Sequence, residues 1–424
     1  MDNRNTGLLD RDDFDFSDLF TAEELAEIER AAEAQFPTAP AEPAYTEYAP
    51  QEEAEALPPQ AEEEEEIPTE ETEEEFSYDE PKAKKSRKER KGPGLFGIIA
   101  RVLSFVLATV IIILCGALGV IYIMSKGPSE SARDLFVLSL RETSAAGFVA
   151  GIFLDEEEIA LIEEANKPDE ILENIDTSLI TIAAKTESEE GGEEVKGEEI
   201  EIFDVSGATF KGKMMVVSDP ERVIVGVSNR LGAAGQLLPS MIESYGGVGG
   251  TNAGGFDDPN GTGNGGIPLG VVIHEGQLLS GANTRAATAV IDYDGILHVG
   301  NFTGNEAMDL NAEWAVSFGP VLVVNGEKCD GLSSGLNPRT AIGQRSDGAI
   351  LLLVINGRQV GSMGATYEDV ADVMLSYGAV NALNLDGGSS STMLYHGEYL
   401  NISSSLVGER PLPTGIIVLD KEAE

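Results

Sequence analysis

Four short stretches carry residue types that could do chemistry together. Asn252-Ala-Gly-Gly-Phe-Asp257 sets an amide, the glycines Gly254 and Gly255, the ring of Phe256 and the acid Asp257 side by side. Asn337-Pro-Arg-Thr-Ala-Ile-Gly343 reads as a turn that delivers Arg339 and Thr340 to the start of a strand. Asp386-Gly387-Gly388-Ser389-Ser390 closes a short apolar run, and Gly408-Glu-Arg-Pro411 brings Glu409 and Arg410 close behind it. Arginine forks match the geometry of a phosphate. Carboxylates suit proton transfer or the stabilisation of a glycosyl cation. Glycine backbone and serine hydroxyls can grip an anion at close range.

The elements that must position these groups are legible in the apolar pattern. Val380, Leu383 and Leu385 mark a buried strand ending at Asp386, at the carboxyl end of a strand, a usual place for a site in an α/β core. Upstream, 349–355 is a second apolar run closed by the turn pair Asn356-Gly357. Thr366-Tyr-Glu-Asp369 reads as a capping box opening a helix, with Val370, Val373, Met374 and Tyr377 on one face and Gly378 at its end. Further strands are expected at 200–205, 214–217, 223–227, 269–273, 286–291, 296–299, 321–324, 392–395 and 415–419. An amphipathic helix is expected over 231–245, interrupted by Pro239 and stopped by Gly246-Gly247. The fold class is therefore α+β, a mixed β-sheet core flanked by helices over 198–424, long enough to bury a full core.

Several familiar patterns match by accident. Gly207 to Lys213 has the spacing of a P-loop, but Met214 stands where a hydroxyl should bind magnesium and a strand follows instead of a helix. Gly261-x-Gly263-x-x-Gly266 leads into Ile267-Pro268, so it reads as a loop and not as a dinucleotide site. Gly331-x-Ser333-x-Gly335 lacks the strand and helix of a nucleophile elbow. His274, His298 and His396 are the only histidines, and each reads as structural. No His/Cys cluster has metal-ligand spacing, so neither a metal nor a cofactor is expected.

The chain carries a net charge of −46 over 424 residues, which argues against nucleic acid as a partner. Residues 1–91 hold 29 acids against 10 bases, with scattered prolines and the acidic run 62–66. This composition cannot offset its ordering entropy and reads as a disordered tail, with one short capped helix over 21–34 and a possible role in recruiting a cytoplasmic partner. Seven bases between Lys82 and Lys91 precede an apolar span at 95–124. With only Lys126 and Arg133 beyond it, the positive-inside rule puts the N-terminus in the cytoplasm and the C-terminal part outside a cell membrane crossed once. The basic cluster then meets anionic lipid. Residues 128–197 read as a membrane-proximal helical stalk, with capping boxes at Ser131 and Asp155, followed by an acidic loop; no chemistry shows in it. Cys115 lies in the span and Cys329 is alone beyond it, so no intrachain disulfide forms outside, which fits a Gram-positive cell surface.

Taken in order, the four stretches resemble the phosphodiester glycosidase family, that of the N-acetylglucosamine-1-phosphodiester alpha-N-acetylglucosaminidase ("uncovering enzyme") domain. The likeness covers roughly 200–420 and departs from the family's Asn-Gly-Gly-Phe-Phe by the inserted Ala253 and by Asp257. It implies hydrolysis of a sugar-1-phosphodiester, releasing the sugar and leaving a phosphomonoester. On that basis Asp386 and Glu409 are the catalytic carboxylates. Arg339, Thr340 and Arg410 hold the phosphate with Gly387, Gly388, Ser389 and Ser390. Asn252, Gly254, Gly255, Phe256 and Asp257 line the sugar side. The substrate would be a sugar-phosphate, polymer-linked at the cell wall or surface. Two alternatives stay open: a non-catalytic module that binds wall glycans or phosphopolymers, and a phosphodiesterase that cleaves the other P–O bond.

Overall fold

The computed structural model describes residues 95–143, 146–172, 175–182, 199–405 and 408–421. The acidic tail, its short helix, the basic cluster and most of the acidic loop fall outside these residues. Helix α1 (Leu95–Lys126) is apolar along nearly its whole length and most of its side chains are exposed, while its last turns meet the segment that follows through Tyr122 and Lys126. It is long and apolar enough to cross a membrane. Helix α2 (Glu130–Arg141) starts two residues earlier than Ser131 would set it. Pro128 separates it from α1, and Ser129, in extended conformation, accepts the Ala132 N–H as its cap. Helix α3 (Glu156–Ala165) opens on the expected Asp155–Glu158 capping box. Val137, Leu138, Ala150, Leu154, Ile159 and Ile162 give this segment a small core of its own.

In chain order the strands beyond it begin with β1 (Ile200–Ser206), β2 (Lys211–Val217), β3 (Val223–Val227), β4 (Gly247–Asn252), β5 (Val272–His274) and β6 (Gln277–Ser280). Next come β7 (Ala286–Asp292), β8 (Leu297–Phe302), β9 (Ala312–Ser317), β10 (Val321–Val324), β11 (Glu327–Lys328) and β12 (Arg339–Arg345). The last are β13 (Ile350–Ile355), β14 (Ala379–Leu385), β15 (Met393–Tyr395), β16 (Glu398–Tyr399) and β17 (Thr414–Leu419). Helices α4 (Leu238–Ser244), α5 (Gly304–Asp309) and α6 (Tyr367–Ser376) lie between them.

The architecture is α+β, with three sheets ordered β1-β2-β13-β12-β14-β10-β11, β16-β15-β4-β17-β3 and β6-β5-β9-β7-β8. Pairings within the sheets are antiparallel. The large sheet is buried on both faces, which is why β13 is apolar at every position. The alternation is strict: Met215, Val217, Leu352 and Val354 face the core shared with the other sheets, while Met214, Val216, Leu351 and Leu353 face α6. Helix α6 begins at its Thr366–Asp369 capping box, buries Val370 and Met374, and ends at Gly378, whose φ of 85° no side chain adopts easily. The expected helix over 231–245 is shorter: Pro239 sits in the first turn of α4, where its missing N–H costs nothing, so 231–237 run as turns.

Candidate active site

Strand β14 ends as expected at Asp386, and an amide holds that end in place. Asn252, fully buried at the end of β4, donates from Nδ2 to the Asp386 carbonyl at 2.5 Å. Its Oδ1 accepts from the Thr340 hydroxyl at 2.8 Å and from the Thr392 N–H at 3.1 Å. The Asp386 N–H in turn reaches the Ala253 carbonyl at 2.9 Å. Asn252 and Thr340 thus tie β4, β12 and β14 together beneath the site and leave no side-chain group facing a ligand. The half-buried Asp386 carboxyl is pushed up to about 7, chiefly by burial, with the Asp258 charge adding to the rise. The Ser390 hydroxyl, the Arg410 charge and the Gly387 N–H pull the other way.

Arg410 donates from Nη1 to Asp258 Oδ2 at 2.8 Å and to Ser389 Oγ at 3.3 Å, while its buried Nη2 lies in ion-pair contact with Asp258 Oδ1 at 2.7 Å without making a hydrogen bond. Its guanidinium lies 4.8 Å over the ring of the buried Phe256. Burial raises the Asp258 carboxyl, but the Arg410 bond, the Gly263 N–H and the Arg410 charge outweigh it and hold the group below its usual range. Asp386 and Asp258 are thus neighbouring carboxyls displaced in opposite directions, the pattern by which one site holds a proton-exchanging group beside a permanent charge. Asp257 and Glu409 both point into solvent, Glu409 with its carboxyl raised by partial burial.

A second cationic cluster lies across the strand ends. The register pairs Thr340 with Leu385, so Arg339 and Asp386 leave the sheet at the same edge. Arg339 is 4% exposed and stacks 4.1 Å over Tyr367. Its Nη2 donates to Glu142 Oε2 and the Gly335 carbonyl, both at 2.7 Å, and its Nε to the Ala365 carbonyl at 3.0 Å. Glu142, at the end of α2, also accepts from the Gly335 N–H at 2.9 Å and the Asn337 amide at 3.0 Å. Arg358 donates to Thr143 Oγ1 and Asn337 Oδ1, each at 2.8 Å, and burial together with the Arg339 charge pushes its guanidinium down. Gly388, with φ of 62°, passes within contact of the Arg358 guanidinium, and any side chain at Gly387 would strike the Pro338 carbonyl. Thr143, Glu142 and Ser139, all from the stalk region, therefore seat the loop that carries Arg339.

On the sugar side of the expected arrangement, Gly254 and Gly255 are buried, and a side chain at Gly255 would meet the ring of Phe318 at 2.7 Å. Phe318, Tyr367, Glu142, Arg141 and Lys167 wall a cleft of about 530 Å³ between the stalk helices and the sheets. Asp386, Asp258 and Arg410 are not in its walls, so this cleft adjoins the carboxylate centre without containing it. Among the described residues, no group of three or more His, Cys, Asp or Glu side chains is placed to hold a metal ion.

The accidental motifs have structural work. The 331–335 loop packs onto α2, with Gly335 pressed against the Ser139 backbone, and Gly265 lies against the Pro411 carbonyl, bracing the Arg410 segment. His298 binds Asp292 at 2.7 Å, and His274 sits between Tyr245 and Trp314. Three residues in these clusters carry no sequence signal strong enough to single them out. Asp258 adjoins an acid that is more conspicuous in its motif, Arg358 follows a turn pair read only as a turn, and Glu142 reaches its partners from nearly 200 positions away.

Among known proteins, a sequence profile described as phosphodiester glycosidase matches residues 245–419. An SPbeta prophage-derived uncharacterized protein of Bacillus subtilis (strain 168) is 46% identical over 65 residues, 15% of this chain and 10% of that protein, so the chain spans about a tenth of that relative's length. The zebrafish N-acetylglucosamine-1-phosphodiester alpha-N-acetylglucosaminidase catalytic domain, auto-inhibited by its pro-peptide, aligns with a TM-score of 0.45 and 22% identity over 52% of this chain and 82% of that one. A hypothetical protein from Synechocystis aligns with a TM-score of 0.37 and 18% identity over 51% of this chain and 61% of its own.

Proposed function

We propose that residues 245–419, which match the phosphodiester glycosidase profile, are the catalytic part of a membrane-anchored enzyme that hydrolyses a sugar-1-phosphodiester outside the cell. Water attacks the anomeric carbon, the bond from that carbon to the bridging oxygen breaks, and the electron pair leaves on a phosphomonoester. A phosphate is already a good leaving group, with a second pKa of about 6, so a proton delivered to it brings little. The harder proton is the one on the attacking water. Asp386 takes that proton as general base, a role for which a pKa of about 7 is well placed. This displaced carboxyl, set at a strand end among Arg410, Ser390 and Asp258, is the observation that carries the reading.

Arg410, helped by Ser389 and the Gly387–Gly388 backbone, receives the charge that grows on the leaving phosphate. Asp258 keeps Arg410 aimed. Arg358, with the buried Arg339 behind it, forms the outer cationic wall, and Glu409 is the second candidate carboxylate. Phe318, propped by Gly255, offers a ring face to the sugar. The span α1 anchors the enzyme with its N-terminal tail in the cytoplasm, and a glycopolymer of the cell surface is the fitting substrate class. The test is to incubate the full chain with methyl-phospho-sugars and nucleotide sugars and assay free sugar. Release that disappears in Asp386→Asn supports the reading; release unchanged in that variant overturns it.

A further inference from the structure

We infer that the turn Gly147–Ile152 is a second membrane contact, lying in the boundary between headgroups and acyl chains of the bilayer that α1 crosses. This rests on the reading of α1 as a membrane span. Between Glu142 and Asp155 the sequence has no charged residue. The segment folds as a 3-10 turn that hides Ala150 in the stalk core yet leaves Phe148 75% and Ile152 41% exposed. Among the described residues outside α1, Phe148 is the most exposed aromatic side chain.

Its height relative to the membrane follows from one ring contact. Phe153, the residue after the turn, meets Tyr122 of α1 edge to face, with ring centroids 5.4 Å apart. Tyr122 lies four residues before the end of α1, about 6 Å back along the axis at the helical rise. The chain therefore leaves α1, builds α2, and returns beside the final turn of the span. Phe148 and Ile152 precede Phe153 in this returning stretch, and Tyr122 and Ile123 of α1 are likewise exposed. The Lys126–Glu158 pair, at 2.6 Å, ties α3 to the end of α1 and holds the arrangement. Tyrosine at the end of a span belongs to the aromatic belt of a bilayer. The occupant of this surface is thus lipid, continuous with the lipid around α1. Because α2 also carries Glu142, the same contact would hold the Arg339 loop at a set height above the membrane.

The test uses the full chain in vesicles containing lipids brominated on the upper acyl chain. Its single tryptophan, Trp314, is buried in the sheets and serves as internal control. In a Trp314→Phe background, tryptophan is placed at Phe148 or, separately, at Leu114 in mid-span. If the background fails to fold, Trp314 is kept and the difference spectrum from wild type is read. A ring seated roughly 5–10 Å into the interface is quenched by bromine on the upper acyl chain, whereas Trp314 keeps its emission. Quenching at both new positions supports the inference. Quenching at 114 but not at 148 overturns it and leaves the span intact. Quenching at neither overturns the span and this contact together.

Discussion

Replacing Asp386 by Asn should abolish turnover and, above neutrality, make the protein more stable. The native carboxyl titrates near 7, against about 3.9 for an unfolded aspartate. The native state therefore holds this proton more tightly than the unfolded chain does. Stability falls as pH rises from about 4 to 7, and the full cost is present above 7. Three units at 1.36 kcal/mol each give about 4 kcal/mol. Asp386 keeps part of its surface in water, which screens the charge and brings this nearer about 2 kcal/mol. For a domain of this size that is a rise in melting temperature of about 4–8 °C. Thermal unfolding of wild type and Asp386→Asn at pH 8 and pH 5 reads it directly. The gain should be largest at pH 8 and shrink to about a third of that at pH 5, where the native side chain is neutral but the unfolded one is already mostly ionised, while activity at pH 8 falls by about 10²–10⁴-fold. An Asn variant no more stable than wild type at pH 8, or equally stabilised at pH 5, would refute the burial of an ionising carboxyl.

If Asp386 acts as base, kcat/KM rises with pH through an inflection near 7; a fall through the same inflection assigns it the acid role instead. Asp258→Asn releases Arg410 from its pair and should raise KM and lower kcat/KM by about tenfold or more, whereas an equal loss in Glu409→Gln alone would move the second carboxylate role to Glu409. Glu142→Gln strips the buried Arg339 of its charge partner; since Glu142 keeps a quarter of its side chain exposed, denaturant unfolding should show a loss of about 2 kcal/mol, below the range for a wholly buried pair. Gly255→Ala pushes a methyl into the Phe318 ring and should cost about 1–3 kcal/mol, with KM rising if that ring faces the sugar. The Asp292 carboxyl is raised by burial but lowered further by His298 and the Ile296 and Asp294 N–H groups, so it ends below its usual range. Its contribution is present above about pH 4 and lost as pH falls through the native pKa, and Asp292→Asn should flatten that acid limb.

Much of the frame around Asp386 was legible because its signals are local. The alternation through β13 and β14, the Thr366–Asp369 box and Gly378 each act within a few residues, and each element stands where its pattern puts it. Strand β4 was hidden because Gly247–Asn252 has almost no side chains to show a period. It is a strand because β15 and β17 flank it, and a Cβ at Gly249 or Gly250 would strike their backbones. The rule that sites sit at the carboxyl ends of strands belongs to parallel sheets; here the pairing is antiparallel, and Asp386 is held by Asn252 instead. Asp258 and Arg358 became visible only through their partners. Glu142 could not be found at all from the stalk sequence, since its meaning lies in the Gly335, Asn337 and Arg339 groups that converge on it.

The central claim is that this domain breaks the sugar carbon–oxygen bond of a glycosyl phosphodiester with Asp386 activating the water. Hydrolysis in oxygen-18 water, followed by mass spectrometry of both products, tests it most directly. The account predicts one labelled oxygen in the released sugar, none in the phosphomonoester, and no reaction in Asp386→Asn. Label in the phosphate would show that the other P–O bond is cleaved, and folded protein that binds such substrates without releasing any sugar would show a binding module in place of an enzyme.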